Sequence, residues 1–265
     1  MTDQTSIRLE VEDHVARVTL DRPDARNAMD VAMLDHLPEI LSELAGDAGV
    51  RCIVLTGAGE KAFCAGGDVR GLEDGGGGGQ RAAPDPSRLA DRIDGWAQAS
   101  VLLHEMPKPT LGAINGTAAG AGMGLALACD LRIGCEHSRF ITSFARIAMS
   151  GDFGGSHLLT QLVGTAKARE LYFLSDPVSA DEAFSLGLLN WKVPAAELRE
   201  RTRELALRLA ALPAPTQAAM KANLNASLGS RLRDVVRLEA ESMAKTSTSP
   251  EAAAAAAAFF ASRGR

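Results

Sequence analysis

The chain has 265 residues, 46% of them hydrophobic, and a formal net charge of −5, which allows one sizeable buried core and argues against a nucleic-acid partner. Its four cysteines, Cys52, Cys64, Cys129 and Cys135, form no CxxC pair, so buried thiols are expected rather than a zinc or redox site. The N-terminal residues have no apolar signal core and no apolar run reaches about 18 residues, so a cytoplasmic protein with no membrane partner is expected.

"IRLEVEDHVARVTL" alternates about Glu12-Asp13-His14 and predicts an antiparallel hairpin. After the loop "RPDARNAM", leucines at 34, 37, 41 and 44 have helical spacing, with Asp30 as N-cap, and Pro38 predicts a kink or an early end. "RCIVLTG" reads as a short buried strand, the glycine run from Gly75 as a mobile loop, and residues 87–105 as a helix. "TLGAING" and "LRIGC" are further buried strands, the first leading through a small-residue turn into "GLALACD". From Ser156 the pattern turns helical. Short segments "SHLLTQLVG", "KARELYFL" and "SADEAFSLG" come first, then longer ones from about Pro194, Pro215, Arg231 and Pro250. Strands linked by helices and then an all-helical tail predict an α/β fold, with residues 1–195 as core and 196–265 as a helical subdomain.

Two turns nearly devoid of side chains, "KAFCAGGDVRG" and "INGTAAGAGMGLALACD", each follow a buried strand. The first lacks the Gly-Lys-Ser/Thr ending of a phosphate loop and breaks the GxGxxG spacing. Read alone, it is equally well explained as a chain reversal. Two bare turns, one opening a helix, nevertheless give two places where backbone N–H groups can approach a ligand unobstructed. Converging on one oxygen, they would form an oxyanion hole.

"RPDARNAM", "AFCAGGD", "INGTAAGAGMGLALACD", "LVGTAKARELYFLSDPVSADEAFSLGLLN" and the closing "AFFASR" resemble, in that order, the crotonase (enoyl-CoA hydratase/isomerase) family. The resemblance implies a crotonase-like spiral of ββα repeats with a C-terminal helical trimerisation region, Phe259 in its last helix, and a homotrimer or dimer of trimers. It implies an acyl-CoA thioester as substrate, with no cofactor beyond the coenzyme A the substrate carries. By motif position, the amides of Ala65 and Ala121 would hold the thioester oxygen. Arg26 and Ala28 would lie in the CoA-binding loop, while Gly66, Gly67 and Asp68 line the same entry, Asp68 ordering the loop rather than reacting.

Hydratases that this sequence resembles carry two glutamates. The aligned positions here are Gly124 and Phe144, neither of which exchanges a proton, and Phe144 becomes a candidate substrate contact. Asp152 in "MSGDFGGSHLL" stands where several isomerases of the family carry an acidic residue. A single carboxylate suits allylic isomerisation, taking a proton from one carbon and returning it to another. Phe144, Met149 and Phe153 are expected to desolvate it and raise its pKa. The plainer reading of Asp152 is a helix cap, for which Ser156 is better placed. The expected activity is therefore a double-bond shift with Asp152 as proton shuttle. Its alternatives are hydration of a 2-enoyl-CoA and a non-catalytic acyl-CoA-binding scaffold. His104 and His137 read as surface or satisfied core residues, His157 as an outside candidate base, Cys64 as packing, and Trp96 as packing or the border of an acyl pocket.

Overall fold

A computed structural model of the protein describes residues 6–68 and 85–263, with side chains up to residue 257. The glycine run from Gly75 lies outside the described residues, and Phe259 outside the described side chains. The strands are β1 (Ile7–Glu12), β2 (Val15–Leu20), β3 (Cys52–Gly57), β4 (Ala62–Cys64), β5 (Thr110–Ile114), β6 (Thr117–Ala119), β7 (Leu131–Cys135), β8 (Arg139–Ile141), β9 (Val178–Ser179) and β10 (Trp191–Val193). The helices are α1 (Val31–Gly46), α2 (Pro86–Glu105), α3 (Ala121–Ala128), α4 (Gly155–Leu174), α5 (Ala180–Ser185), α6 (Leu198–Ala210), α7 (Ala214–Ser227), α8 (Leu232–Ser247) and α9 (Pro250–Arg263).

The strands make two sheets. One has the order β1-β2-β3-β5-β7-β10 and is parallel except for the β1–β2 hairpin. The other has the order β4-β6-β8-β9 and is parallel except for β8–β9. The pairs β3/β4, β5/β6 and β7/β8 each give their first strand to the larger sheet and their second to the smaller. A helix then follows, so the chain advances as a spiral of ββα units, as the resemblance implies. β3 and β5 are buried at every residue, which explains why they read as unbroken apolar runs rather than alternating ones.

One core cluster, including Leu55, Phe63, Leu103, Ile114 and Phe140, joins the two sheets to α1–α4. A second lies on the other side of the large sheet, where Val54, Leu111 and Ile133 meet Leu198, Leu205 and Ala206 of α6. α7 is anchored by Lys221, whose ammonium donates to the carbonyls of Leu103 and Lys108 and to the Asp130 carboxylate at 2.8 Å.

Asp30 caps α1 by accepting from the Met33 N–H at 2.9 Å. The helix does not end at Pro38 but continues to Gly46. Proline there removes one helical donor, but Leu34, Leu37, Leu41 and Leu44 are all buried along the same helix face, and that burial outweighs the lost bond. α4 runs from Gly155 to Leu174 but is interrupted at Gly164, whose φ of 76° and ψ of 162° are not helical. No helix among the described residues is long and apolar enough to cross a membrane.

Candidate active site

The turn after β4 is fixed by its own amides. Ala65 N–H donates to the Arg26 carbonyl at 3.1 Å, and Asp68 N–H to the Met29 carbonyl at 2.8 Å. Gly66 N–H points to the Cys64 sulfur at 3.4 Å. Gly67 N–H alone in this turn has no acceptor among the described residues. This corrects the assignment of Ala65 as an oxyanion donor, because its hydrogen is spent on the neighbouring loop. The free donor lies two residues on, at Gly67.

Ala121, the other expected donor, stands at a helix start. It opens α3, and an amide in a helix's first turn has no partner within the helix. The two turns meet: a Cβ built on Gly66, whose φ is 96°, would lie 3.0 Å from the Ala119 oxygen and 3.5 Å from the Ala121 nitrogen. No L side chain fits that approach comfortably. The two bare turns are therefore in contact at the start of α3.

The loop of residues 22–30 borders the same turn. The Arg22 guanidinium donates to the Ala28 carbonyl at 2.6 Å and to Asp68 at 3.1 Å, and pairs with Asp30 at 3.1 Å. Asp68 is thus committed to ordering the loop. Asn27 is buried and donates to the carbonyls of Ala58 and Ala62. Ala28 is buried, whereas the Arg26 side chain is exposed.

Asp152 sits in the turn between Gly151 and Gly155, just before α4. Its Oδ1 is buried with no hydrogen-bond partner, and burial pushes the carboxyl up to about 6. It does not cap the helix with its side chain. Neither does Ser156, contrary to expectation: α4 begins one residue earlier, at Gly155, its N-cap is Gly154, and no side chain caps it. Phe153 and Phe144 are buried against this region, but Met149 is 52% exposed and does not shield the carboxylate as expected.

The first glutamate position is closed as well as empty. A Cβ on Gly124 would lie 2.8 Å from both the Cβ and the carbonyl oxygen of Phe153. The Phe144 ring packs 3.7 Å from a Cβ built on Gly120, ahead of α3, and stacks on Tyr172 at 6.3 Å between centroids and 14° between planes. Gly120, Gly124, Phe144, Gly155 and Tyr172 line one closely packed crevice. The turn carrying Asp152 is thereby packed on α3 at Gly124, through Phe153.

Other candidates fall away from this centre. Cys64 is buried and its thiol is pushed up to about 12 by that burial. Trp96 donates its indole N–H to Asp35 of α1 at 2.6 Å, so it packs between α1 and α2. His137 and His157 are exposed, and desolvation lowers the pKa of half-buried His104. Among the described residues no cluster of three or more His, Cys, Asp or Glu could hold a metal ion.

Nothing in the sequence pattern singles out Gly67 rather than Ala65 as the free N–H, or marks Tyr172 for the site. Tyr172 is the chain's single tyrosine, a weak signal that only the fold makes useful.

Comparison with known proteins gives a consistent outcome. A family model described as enoyl-CoA hydratase/isomerase matches residues 10–264. The 1,2-epoxyphenylacetyl-CoA isomerase of Escherichia coli K12 is 33% identical over 256 residues, covering 96% of this chain and 94% of its own. A crystal structure of a candidate enoyl-CoA hydratase from Streptomyces coelicolor A3(2) superposes with a TM-score of 0.90 at 37% identity, over 99% of this chain and 94% of the other. A related structure from Thermobifida fusca YX, solved in complex with CoA, gives a TM-score of 0.83 at 29% identity, over 91% and 93% of the two chains. A spiral of ββα units with two bare turns meeting at a helix start, matched over nearly its whole length, makes this chain a member of the enoyl-CoA hydratase/isomerase family.

Proposed function

We propose that the protein binds an acyl-CoA thioester and shifts a double bond along its acyl chain. In this reading Gly67 and Ala121 donate their N–H groups to the thioester oxygen, and Asp152 carries the proton between carbons. The CoA-bound relative supports the ligand class. The 22–30 loop, with exposed Arg26 and buried Ala28, lies where the nucleotide end of such a ligand would enter, beside Gly66 and Gly67.

Removal of a proton next to a thioester puts charge on the carbonyl oxygen, and each fixed donor there is worth roughly 3 kcal/mol in the transition state. The base then needs a pKa near the working pH and a position from which it can both take and return a proton. A buried carboxylate oxygen without a partner, lifted to about 6 by its surroundings, suits both demands. Phe144 forms the wall beside the acyl group in this scheme.

The observation that carries the choice of isomerisation over hydration is the contact at Gly124. Water addition in this family uses a glutamate there, and here Phe153 fills the space. Among the described residues Asp152 is then the one carboxylate of this turn, which is sufficient for a proton shuttle and supplies no second group there to activate water.

The test is to incubate the protein separately with 3-enoyl-CoA and 2-enoyl-CoA, following conjugated-thioester absorbance and product mass. Isomerisation gives unchanged mass with a moved double bond, and Asp152→Asn lowers kcat by at least about 100-fold. A product heavier by one water, or an Asp152→Asn variant with near-normal turnover, overturns the reading. Binding without any turnover of either substrate would mark a non-catalytic acyl-CoA scaffold.

A further inference from the structure

Tyr172 lies far along α4 from Asp152, yet its ring is laid along the Asp152 turn. A Cβ built on Gly151 would sit 3.1 Å from the Tyr172 ring, and one built on Gly155 would sit 2.6 Å from the Tyr172 hydroxyl. The two glycines that flank Asp152 thus leave open the space the tyrosine occupies. In an uninterrupted helix the 17-residue separation of Gly155 and Tyr172 would place them about 25 Å apart along the axis. The non-helical Gly164, with φ 76° and ψ 162°, is what turns the second half of α4 back.

Two polar groups are left without partners on this wall. One is Asp152 Oδ1. The other is the Tyr172 hydroxyl, which makes no hydrogen bond among the described residues although its ring is stacked on Phe144. We propose that Tyr172 is the positioning residue of the Asp152 base: its hydroxyl donates to the carboxylate in the charged state, directly or through one water, and holds it at the angle from which it reaches the substrate. This rests on the isomerase reading of the site and adds to it the group that aims the base.

The chemistry is that of a donor that keeps its proton. Burial and the neighbouring Asp152 charge push the Tyr172 phenol up to about 12, so it gives a hydrogen bond at every assay pH and transfers nothing. Its bond is strong to a carboxylate and weak to a carboxylic acid. It therefore favours the ionised base before proton removal and relaxes once Asp152 carries the substrate's proton, which Asp152 then returns. Among the described residues of the neighbouring elements, no other ionisable group competes for this role. α3 has no ionisable side chain, Arg146 on the preceding turn is paired with Asp176 at 3.5 Å, and His157 on α4 is exposed.

Tyr172→Phe removes the hydroxyl and keeps the stacked ring. With the 3-enoyl-CoA substrate, kcat is expected to fall about tenfold or more with KM little changed, and the acid limb of kcat/KM to move up by about one pH unit, because the ionised carboxylate loses a donor. An unaltered melting temperature checks that the ring still packs. Wild-type kcat with an unmoved acid limb overturns the proposal. So does a fall in kcat without movement of the acid limb, which would assign Tyr172 to packing alone. The isomerase reading fails on a different result, an active Asp152→Asn variant, so the two claims separate.

Discussion

Asp152 illustrates how a residue's chemistry and its cost to the fold come from one cause. Burial lifts its carboxyl from 3.8 to about 6, so the folded chain holds this proton more tightly than the unfolded chain does. Its contribution to stability is thus most favourable below about pH 4, declines as pH rises to about 6, and stays unfavourable above. Asp152→Asn is expected to stabilise the protein at pH 8 by roughly 1–2 kcal/mol, a figure reduced for the carboxylate's partial exposure. That gain should vanish at pH 4. Thermal melts at both pH values check it, and an equal gain at both would show that charge is not the cause. For turnover the sign reverses: the base acts when ionised, so kcat/KM should rise with pH through about 6. The sequence made Asp152 legible as a lone acid near the motif of the second glutamate. It could not distinguish Ala65 from Gly67, because which amide is free depends on where the Arg26 carbonyl lies in space.

At the scale of an element, α4 is the most informative. Gly164 adopts a conformation that only glycine reaches without strain, and a Cβ there would meet nothing within 4 Å. Gly164→Ala should therefore cost stability through the backbone alone, about 1–3 kcal/mol, and should lower kcat by unseating Tyr172. Chemical denaturation and the isomerisation assay check the two halves of this. A variant with unchanged midpoint and turnover would show that the break is dispensable. The break was legible, since "SHLLTQLVG" and "KARELYFL" read as separate helical segments on either side of it. Its consequence was not: periodicity says where a helix stops but not where the next one points. The opposite error occurred in α1, where Pro38 reads as a stop and buried leucines carry the helix through it. The three-residue strands β4, β6 and β8 were invisible as a second sheet because they are too short to show a period.

For the molecule as a whole, the order of the motifs along the chain made the spiral legible, and the described surface adds what lies beyond it. Met220, Leu224, Leu228, Leu232, Val236 and Met243, on and between α7 and α8, are between 43% and 79% exposed. An apolar face of this extent is expected to be covered by other copies, in line with the homotrimer or dimer of trimers that the family resemblance implies. Light scattering should give three or six times the 27.7 kDa of one chain, and Leu224→Glu should shift the mass toward a single copy. A wild-type protein that scatters as a monomer would refute this. The segment from Arg22 to Asp30 is laced to the 65–68 bend by three main-chain bonds and by the Arg22 guanidinium. Whatever rests on that segment therefore also steadies the Gly67 nitrogen, so that grip on a remote handle of the ligand becomes rigidity at the carbon where bonds change.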